Sequence, residues 1–340
     1  VGCVLVRDGH VVGRGWTQAG GRPHAETEAL HRAGDAARGA TAYVSLEPCA
    51  HYGKTPPCAT AMIEAGIRRA VVAIQDPDPR VAGRGLLMME EAGIEVTLGV
   101  CAEEAAELNQ GFLMRMCQGR PMVTLKLATS LDGHIATSSG QSQWITGPEA
   151  RAAGHLLRHS HDAVMIGSGT ALADDPLLTV RLAGLAEQAQ PVRIVVDGRL
   201  RLSLTSRLAR TAKDIRTIVV VLPHADKARV EAFQSCGVEI MPVHADASGR
   251  PNLVEMMKQL GVMGLTRILC EGGSNLAASL LQADLADRLA WFRSPGIIGG
   301  DGLRAIQPLG LTLLAQQHRF ERVGVVRCGD DLLERLSRIR

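Results

Sequence analysis

The chain has 340 residues, which at roughly 100–200 residues per domain implies about two domains. Hydrophobic residues make up 46% and charged residues 21%, globular proportions that exclude a disordered chain, and no apolar run approaches the ~18 residues of a membrane helix. A net charge of +2, with only three Trp, two Tyr and four Phe, lacks both the basic excess and the stacking rings of a dedicated nucleic-acid binder.

Val4–Val6 and Val11–Gly15 read as strands around a hairpin turn, Arg7-Asp8-Gly9-His10. A helix is predicted over Glu26–Ala33 and stopped by Gly34, then a strand over Thr41–Leu46. Helices at Pro57–Ala65 and Leu86–Ala92 alternate with strands at Ala70–Gln75 and Ile94–Leu98, which implies a three-layer α/β domain. Ala102–Cys117 is a longer helix, and Gly119-Arg120-Pro121 breaks it. The domain boundary is expected there, giving domains 1–118 and 122–340. The second half begins with a strand over Met122–Ala128. Further buried strands are predicted at Ala163–Ile166, Val192–Val196, Thr217–Leu222, Val238–Val243 and Arg267–Cys270. Helices are predicted between them at Glu149–His159, Asp226–Cys236, Leu253–Leu260 and Ser274–Gln282, so this half is again α/β. Ala183–Gln190 reads as a surface loop or short helix.

No secretory signal is visible, and the chain opens on Val1 inside an apolar run, so a short preceding segment is expected. The eight cysteines are scattered rather than framed for disulfides, which points to a reducing cytoplasm.

The densest chemistry is Pro23-His24-Ala25-Glu26, then Glu47-Pro48-Cys49, then Cys58. One imidazole and two thiols make a three-ligand zinc set with an open position, as catalytic zinc requires. Glu26, two residues from the histidine, is free to move protons. His-x-Glu with Pro-Cys and a further Cys is the zinc-deaminase signature, here with eight residues between the cysteines. Pro56-Pro57 places Cys58 at a helix start, where the helix dipole favours thiolate. The competing reading is a structural zinc with His51 as fourth ligand.

Six further segments accompany this set. The cysteine loop runs Glu47-Pro-Cys-Ala-His-Tyr-Gly-Lys-Thr-Pro-Pro-Cys58, followed by Asp76-Pro-Asp-Pro-Arg-Val-Ala-Gly-Arg-Gly85. The second half carries Leu125-Lys-Leu-Ala-Thr-Ser-Leu-Asp-Gly133, Ser142-Gln-Trp-Ile-Thr146, Ala173-Asp-Asp-Pro-Leu-Leu-Thr-Val-Arg181 and Glu271-Gly-Gly-Ser274. With them the whole chain resembles the bacterial bifunctional deaminase–reductase family of riboflavin biosynthesis.

The resemblance implies a cytidine-deaminase-like N-terminal domain and a dihydrofolate-reductase-like C-terminal domain. The first would deaminate 2,5-diamino-6-ribosylamino-4(3H)-pyrimidinone 5′-phosphate. The second would use NADPH to reduce the ribosyl chain, giving 5-amino-6-ribitylamino-uracil 5′-phosphate. It implies His51 and Lys54 as deaminase substrate contacts, and Lys126 and Asp174 near hydride transfer. It places NADPH on Ala128, Trp144, Thr170, Asp174, Gly273, Ser274, Asn275, Leu276, Ala277, Ala278 and Ser279. Ser142, Arg158, Leu178, Arg181 and Glu271 match substrate positions, and a dimer or tetramer is implied, with no nucleic-acid or membrane partner. Two departures stand out: the family's segment ahead of Val-Gly-Cys has no counterpart, and Thr17 stands where a His is usual. The alternatives are a reductase-dominant enzyme with a weakened deaminase half, a nucleic-acid cytidine or adenosine deaminase, and a non-enzymatic zinc protein.

Overall fold

The computed structural model describes residues 1–52 and 56–339. The chain divides into two compact units, Val1–Gln118 and Gly119–Arg340.

In the first unit, β1 (Gly2–Arg7) and β2 (His10–Trp16) form a hairpin. Its turn residues Asp8 and Gly9 both have positive φ, 49° and 75°, which matches the twist of the flanking strands. Then come α1 (Ala25–Ala33), β3 (Thr41–Val44), α2 (Cys58–Glu64), β4 (Arg69–Val72), α3 (Arg84–Glu91), β5 (Glu95–Leu98) and α4 (Ala102–Gln118). The sheet order is β2-β1-β3-β4-β5, antiparallel as far as β3 and parallel beyond it. Helix α1 lies directly on β2. A Cβ at Gly15 would fall 2.0 Å from the Ala25 carbonyl oxygen, and one at Gly13 2.3 Å from that of Ala29. Only glycine lets the helix approach this closely, and that approach sets His24 and Glu26 against the sheet. Leu5, Ala25, Ala29, Met62, Val72 and Met89 fill the core beneath.

The second unit contains β6 (Met122–Thr129), β7 (His134–Ala136), α5 (Pro148–His159), β8 (Ala163–Gly167), α6 (Ser168–Asp174) and β9 (Val192–Val196). It continues with α7 (Arg207–Arg210), β10 (Thr217–Val221), α8 (Lys227–Ser235), β11 (Glu239–Pro242), α9 (Leu253–Val262), β12 (Arg267–Cys270) and α10 (Ser274–Gln282). The last elements are β13 (Arg288–Arg293), β14 (Leu303–Arg304), β15 (Phe320–Cys328) and β16 (Asp331–Arg338). The main sheet is ordered β11-β10-β9-β8-β12-β6-β13-β16-β15, parallel from β11 to β13 and antiparallel at the last two strands. Alternate residues feed two cores. Met165, Ile194 and Val220 pack on one face, Val164, Val195 and Val219 on the other. Burial on both faces is why these strands read as continuous apolar runs.

Five strands and two short helices have no counterpart in the sequence reading: β7, β13, β14, β15, β16, α6 and α7. In β15 most side chains are exposed, and charged residues interrupt β16, so neither shows a run of buried apolar positions. No helix among the described residues is long and apolar enough to cross a membrane.

His161 links α5 to the sheet. Its Nδ1–H donates to the Leu157 carbonyl at 2.7 Å, and the Thr124 hydroxyl donates to Nε2 at 2.8 Å. Burial pushes its pKa down to about 4. The unfolded chain, with an ordinary value of about 6.5, therefore protonates first. The stability from neutral His161 should be full above about pH 6.5 and drain away as pH falls towards 4, a loss of about 3 kcal/mol. Urea midpoints measured across that window should fall less steeply for His161→Gln than for the native chain. Parallel profiles would refute the assignment.

Candidate active sites

His24 is the residue immediately before α1, and Cys58 is the first residue of α2. Cys49 lies in the loop after β3. These three converge, with their donor atoms all within 4.8 Å of one another. His24 Nδ1 is 3.3 Å from Cys58 Sγ and 3.6 Å from Cys49 Sγ. Tetrahedral zinc with its usual bond lengths would hold such donors about 3.5 Å apart, so the residues fit that ion. The Cys58 backbone N–H donates to Cys49 Sγ at 3.3 Å. The Cys58 thiol, and then His24, draw the Cys49 pKa down to about 4 against the cost of burial. Among the described residues His51 does not join the cluster. Its Nδ1 is buried without a hydrogen-bond partner. Lys54 lies outside the described residues.

Glu26 follows on the first turn of α1 and is only 3% exposed. Burial pushes its carboxyl up to about 7. Such a group can accept and return a proton near neutrality, as general acid–base work requires.

A second buried glutamate, at the start of the cysteine loop, holds the backbone around the site. Glu47, also 3% exposed, accepts from the backbone N–H groups of Gly85 and Gly83, both at 2.9 Å, and of Asp76 at 3.2 Å. A Cβ at Gly85 would fall 2.0 Å from the Pro48 carbonyl oxygen. The carboxylate therefore ties the Pro48-Cys49 corner to the start of α3. The segment from Asp76 to Gly85 is the receptor for that clamp.

In the second unit the strand period sorts β6. Leu125 and Leu127 enter the main core, while Ala128 packs with Phe292 on the opposite face. Lys126 alternates with those leucines, and its Nζ lies 5.7 Å from the centre of the Phe292 ring. It is 4.0 Å from Glu271 Oε2. Glu271 is held in turn by Arg158, whose Nε donates to Oε1 and whose Nη2 donates to Oε2 at 2.9 Å. Arg158 Nη1 donates to the Thr179 carbonyl at 2.8 Å. Lys126, Glu271 and Arg158 thus form one charged chain. Among the described residues no hydrogen bond or ion pair joins Lys126 to Asp174, which closes α6 and is exposed.

The other expected residues are distributed as follows. Arg181 is exposed, with its backbone N–H on His155 Nδ1 at 3.3 Å. Ser142 is half-buried. Trp144 is exposed and stacked by the Arg151 guanidinium at 4.5 Å. Leu178 lies on the inner side of its segment. Its side chain packs in the core with Ala171 and Leu200, which leaves only its backbone for a ligand. Leu276 and Ala277 also turn into the core, because α10 needs an apolar face against the sheet.

At the carboxyl ends of β8, β9, β10 and β12 lies a cleft of about 560 Å³, within the usual range for a cofactor site. Of the expected cofactor residues, Thr170, Gly273, Asn275, Leu276 and Ser279 line it, whereas Ala128, Trp144, Asp174, Ser274, Ala277 and Ala278 do not. Gly272 and Gly273 have φ of 149° and 80°. A Cβ on either would fall 3.4 or 3.2 Å from Thr170 Oγ1, so at this corner of the cleft bare backbone stands against Thr170. The residues present fit a phosphate-bearing dinucleotide at a turn between strand and helix.

Fold and site together define a two-part enzyme, a zinc-dependent deaminase unit followed by an α/β reductase unit that uses NADPH. Residues 1–74 match the cytidine and deoxycytidylate deaminase zinc-binding region, and residues 121–333 match the RibD C-terminal domain. The riboflavin biosynthesis protein RibD of Escherichia coli K12 is 43% identical over 98% of this chain and 91% of its own. That of Aquifex aeolicus is 40% identical over 98% and 90%. The solved structure of Acinetobacter baumannii RibD superposes with a TM-score of 0.88 at 38% identity, covering 100% of this chain and 92% of that one. A deaminase/reductase structure from Thermotoga maritima gives 0.84 at 34%, covering 99% and 91%. The chain belongs to the RibD family, the bifunctional deaminases and reductases of riboflavin biosynthesis.

Proposed function

We propose that the first unit deaminates 2,5-diamino-6-ribosylamino-4(3H)-pyrimidinone 5′-phosphate and that the second reduces the ribosyl chain of the product to ribityl. The observation that carries this reading is a buried Glu26 beside one imidazole and two thiol donors in an open three-ligand set. When bound, zinc supplies a Lewis acid that acidifies water, and NADPH supplies hydride. His24, Cys49 and Cys58 would hold the metal. The water consumed supplies two protons, and the Glu26 carboxylate would carry them in turn, the first to the ring nitrogen and the second to the departing amino group. The unpartnered His51 Nδ1 is available to a polar group of the pyrimidine. In the second unit Glu271 fixes the Lys126 ammonium, which polarises the sugar carbon–oxygen bond that is reduced. Arg181, exposed at the end of its motif, supports recognition of the substrate phosphate.

The test is coupled turnover, with ammonia release and NADPH oxidation followed from one pyrimidine phosphate. Cys49→Ser should lose both zinc and ammonia release, while Lys126→Met should release ammonia and stop at the unreduced compound. Full zinc occupancy in Cys49→Ser, or loss of ammonia release in a zinc-replete Lys126→Met protein, would overturn the two-site reading. Native protein that reduces but never deaminates would favour the reductase-dominant alternative. The long β15 edge, with Val323 and Val325 exposed, supports a dimer or tetramer. The free cysteines support a reducing, cytoplasmic setting.

A further inference from the structure

The dinucleotide cleft carries positive charge that the chemistry above does not use. Arg199 and Arg201 follow β9, and Arg250 lies in the turn between β11 and α9, on the same cleft. Arg201 is already engaged. Its Nη2 donates to Ser168 Oγ at 2.6 Å, and its Nε lies 3.8 Å from Asp197 Oδ1. Arg199 and Arg250 are exposed, and among the described residues neither guanidinium has a hydrogen bond or an ion pair, although the Arg250 charge acts on the Asp246 carboxyl and helps to lower its pKa. The one other carboxylate of this wall, Asp246, closes its own turn. Its Oδ1 accepts from the Ser248 N–H at 2.8 Å, the Ser248 hydroxyl at 2.7 Å and the Arg250 N–H at 3.1 Å. The bridge between Ala245 and Pro251 braces that turn.

Strand order decides which end of a dinucleotide meets these groups. From β6, which carries Lys126, the sheet runs β6-β12-β8-β9-β10. At about 4.8 Å per strand, β9 stands roughly 14 Å from β6. A dinucleotide whose reactive ring lies over β6 has its pyrophosphate over β12 and β8, and its adenosine over β9 and β10.

We infer that Arg199 and Arg250 grip the 2′-phosphate on the adenosine ribose of NADPH and set the preference for NADPH over NADH. The inference rests on reading the second unit as an NADPH reductase. Two exposed guanidinium forks suit a dianionic phosphate, whereas a ribose hydroxyl would leave Arg199 without an anion and Arg250 with Asp246 alone.

The experiment compares kcat/KM for NADPH and NADH on the deaminated intermediate, using the full chain. Arg199→Ala and Arg250→Ala should each lower the NADPH value by roughly 10–100-fold, through KM, and move the NADH value by less than about threefold. Calorimetric titration should show that adenosine 2′,5′-bisphosphate outbinds 5′-AMP on the native chain and loses that advantage on either variant. Equal losses with both cofactors would overturn the inference, because the arginines would then serve a feature common to the two. A native enzyme indifferent between NADPH and NADH would also overturn it, with the reductase assignment intact. A native enzyme that reduces with neither cofactor would refute that assignment instead, and the bisphosphate titration would still decide the role of the arginines.

Discussion

Glu26→Gln should keep its full zinc content and lose ammonia release by at least about 10²-fold, the lower end of what general acid–base catalysis contributes. The amide fills the same buried space on the first turn of α1, and it is not one of the three clustered donors. The helix approach at Gly13 and Gly15 and the cysteine pair should therefore be undisturbed. What disappears is a group that can take a proton and give it back. Metal analysis and ammonia assay on the same preparation separate these outcomes. The variant should still reduce the deaminated intermediate with NADPH when that compound is supplied. Near-normal ammonia release would remove Glu26 from the chemistry, and loss of zinc would make it a structural support of the site.

Arg193→Met should destabilise the second unit by about 3–5 kcal/mol, among the larger effects of a single substitution. Arg193 is on β9 and is fully buried. Its guanidinium donates to Thr217 Oγ1 at 2.6 Å and Thr211 Oγ1 at 2.7 Å. It also donates to the carbonyls of Leu208 at 3.2 Å, Thr211 at 3.0 Å and Ile215 at 2.9 Å. Burial pulls its pKa down to about 10, with the Asp214 carboxylate acting the other way, and the hydrogen bonds to the guanidinium come from hydroxyl and carbonyl dipoles. Methionine fills the volume but makes none of these charge-assisted bonds, each worth about 1.5–3 kcal/mol; the Leu208 carbonyl loses its donor, whereas the Thr211 carbonyl keeps the Asp214 and Ile215 N–H groups and the Ile215 carbonyl keeps the Thr217 hydroxyl. Arg193→Lys should recover only part of the loss, since one ammonium cannot span the same fork. Denaturant midpoints for both variants measure this. A loss below about 1 kcal/mol for the methionine variant would show that water or a shifted backbone satisfies the carbonyls.

The three clustered donors and the buried carboxyl beside them are legible in the amino-acid sequence by itself. His24 and Glu26 share one helix start, and Cys49 and Cys58 each sit beside proline, so short-range spacing carries the signal. It also determined the central parallel strands, because burial on both faces forces unbroken apolar runs. The tertiary structure alone decided what those residues touch. Glu47 finds its donors 29 to 38 positions away, and Arg158 meets Glu271 at a separation of 113. No local pattern marks such partners. The same holds for β15 and β16, whose mostly exposed or charged residues show no apolar run until pairing with β13 gives them a place. Their motifs do not show which way the Leu178 and Ala277 side chains face; both turn into the core, because only the packed sheet decides that. Arg199 and Arg250 are two of 32 arginines in the sequence, and they stand out only where strand order brings them to one wall of the cleft.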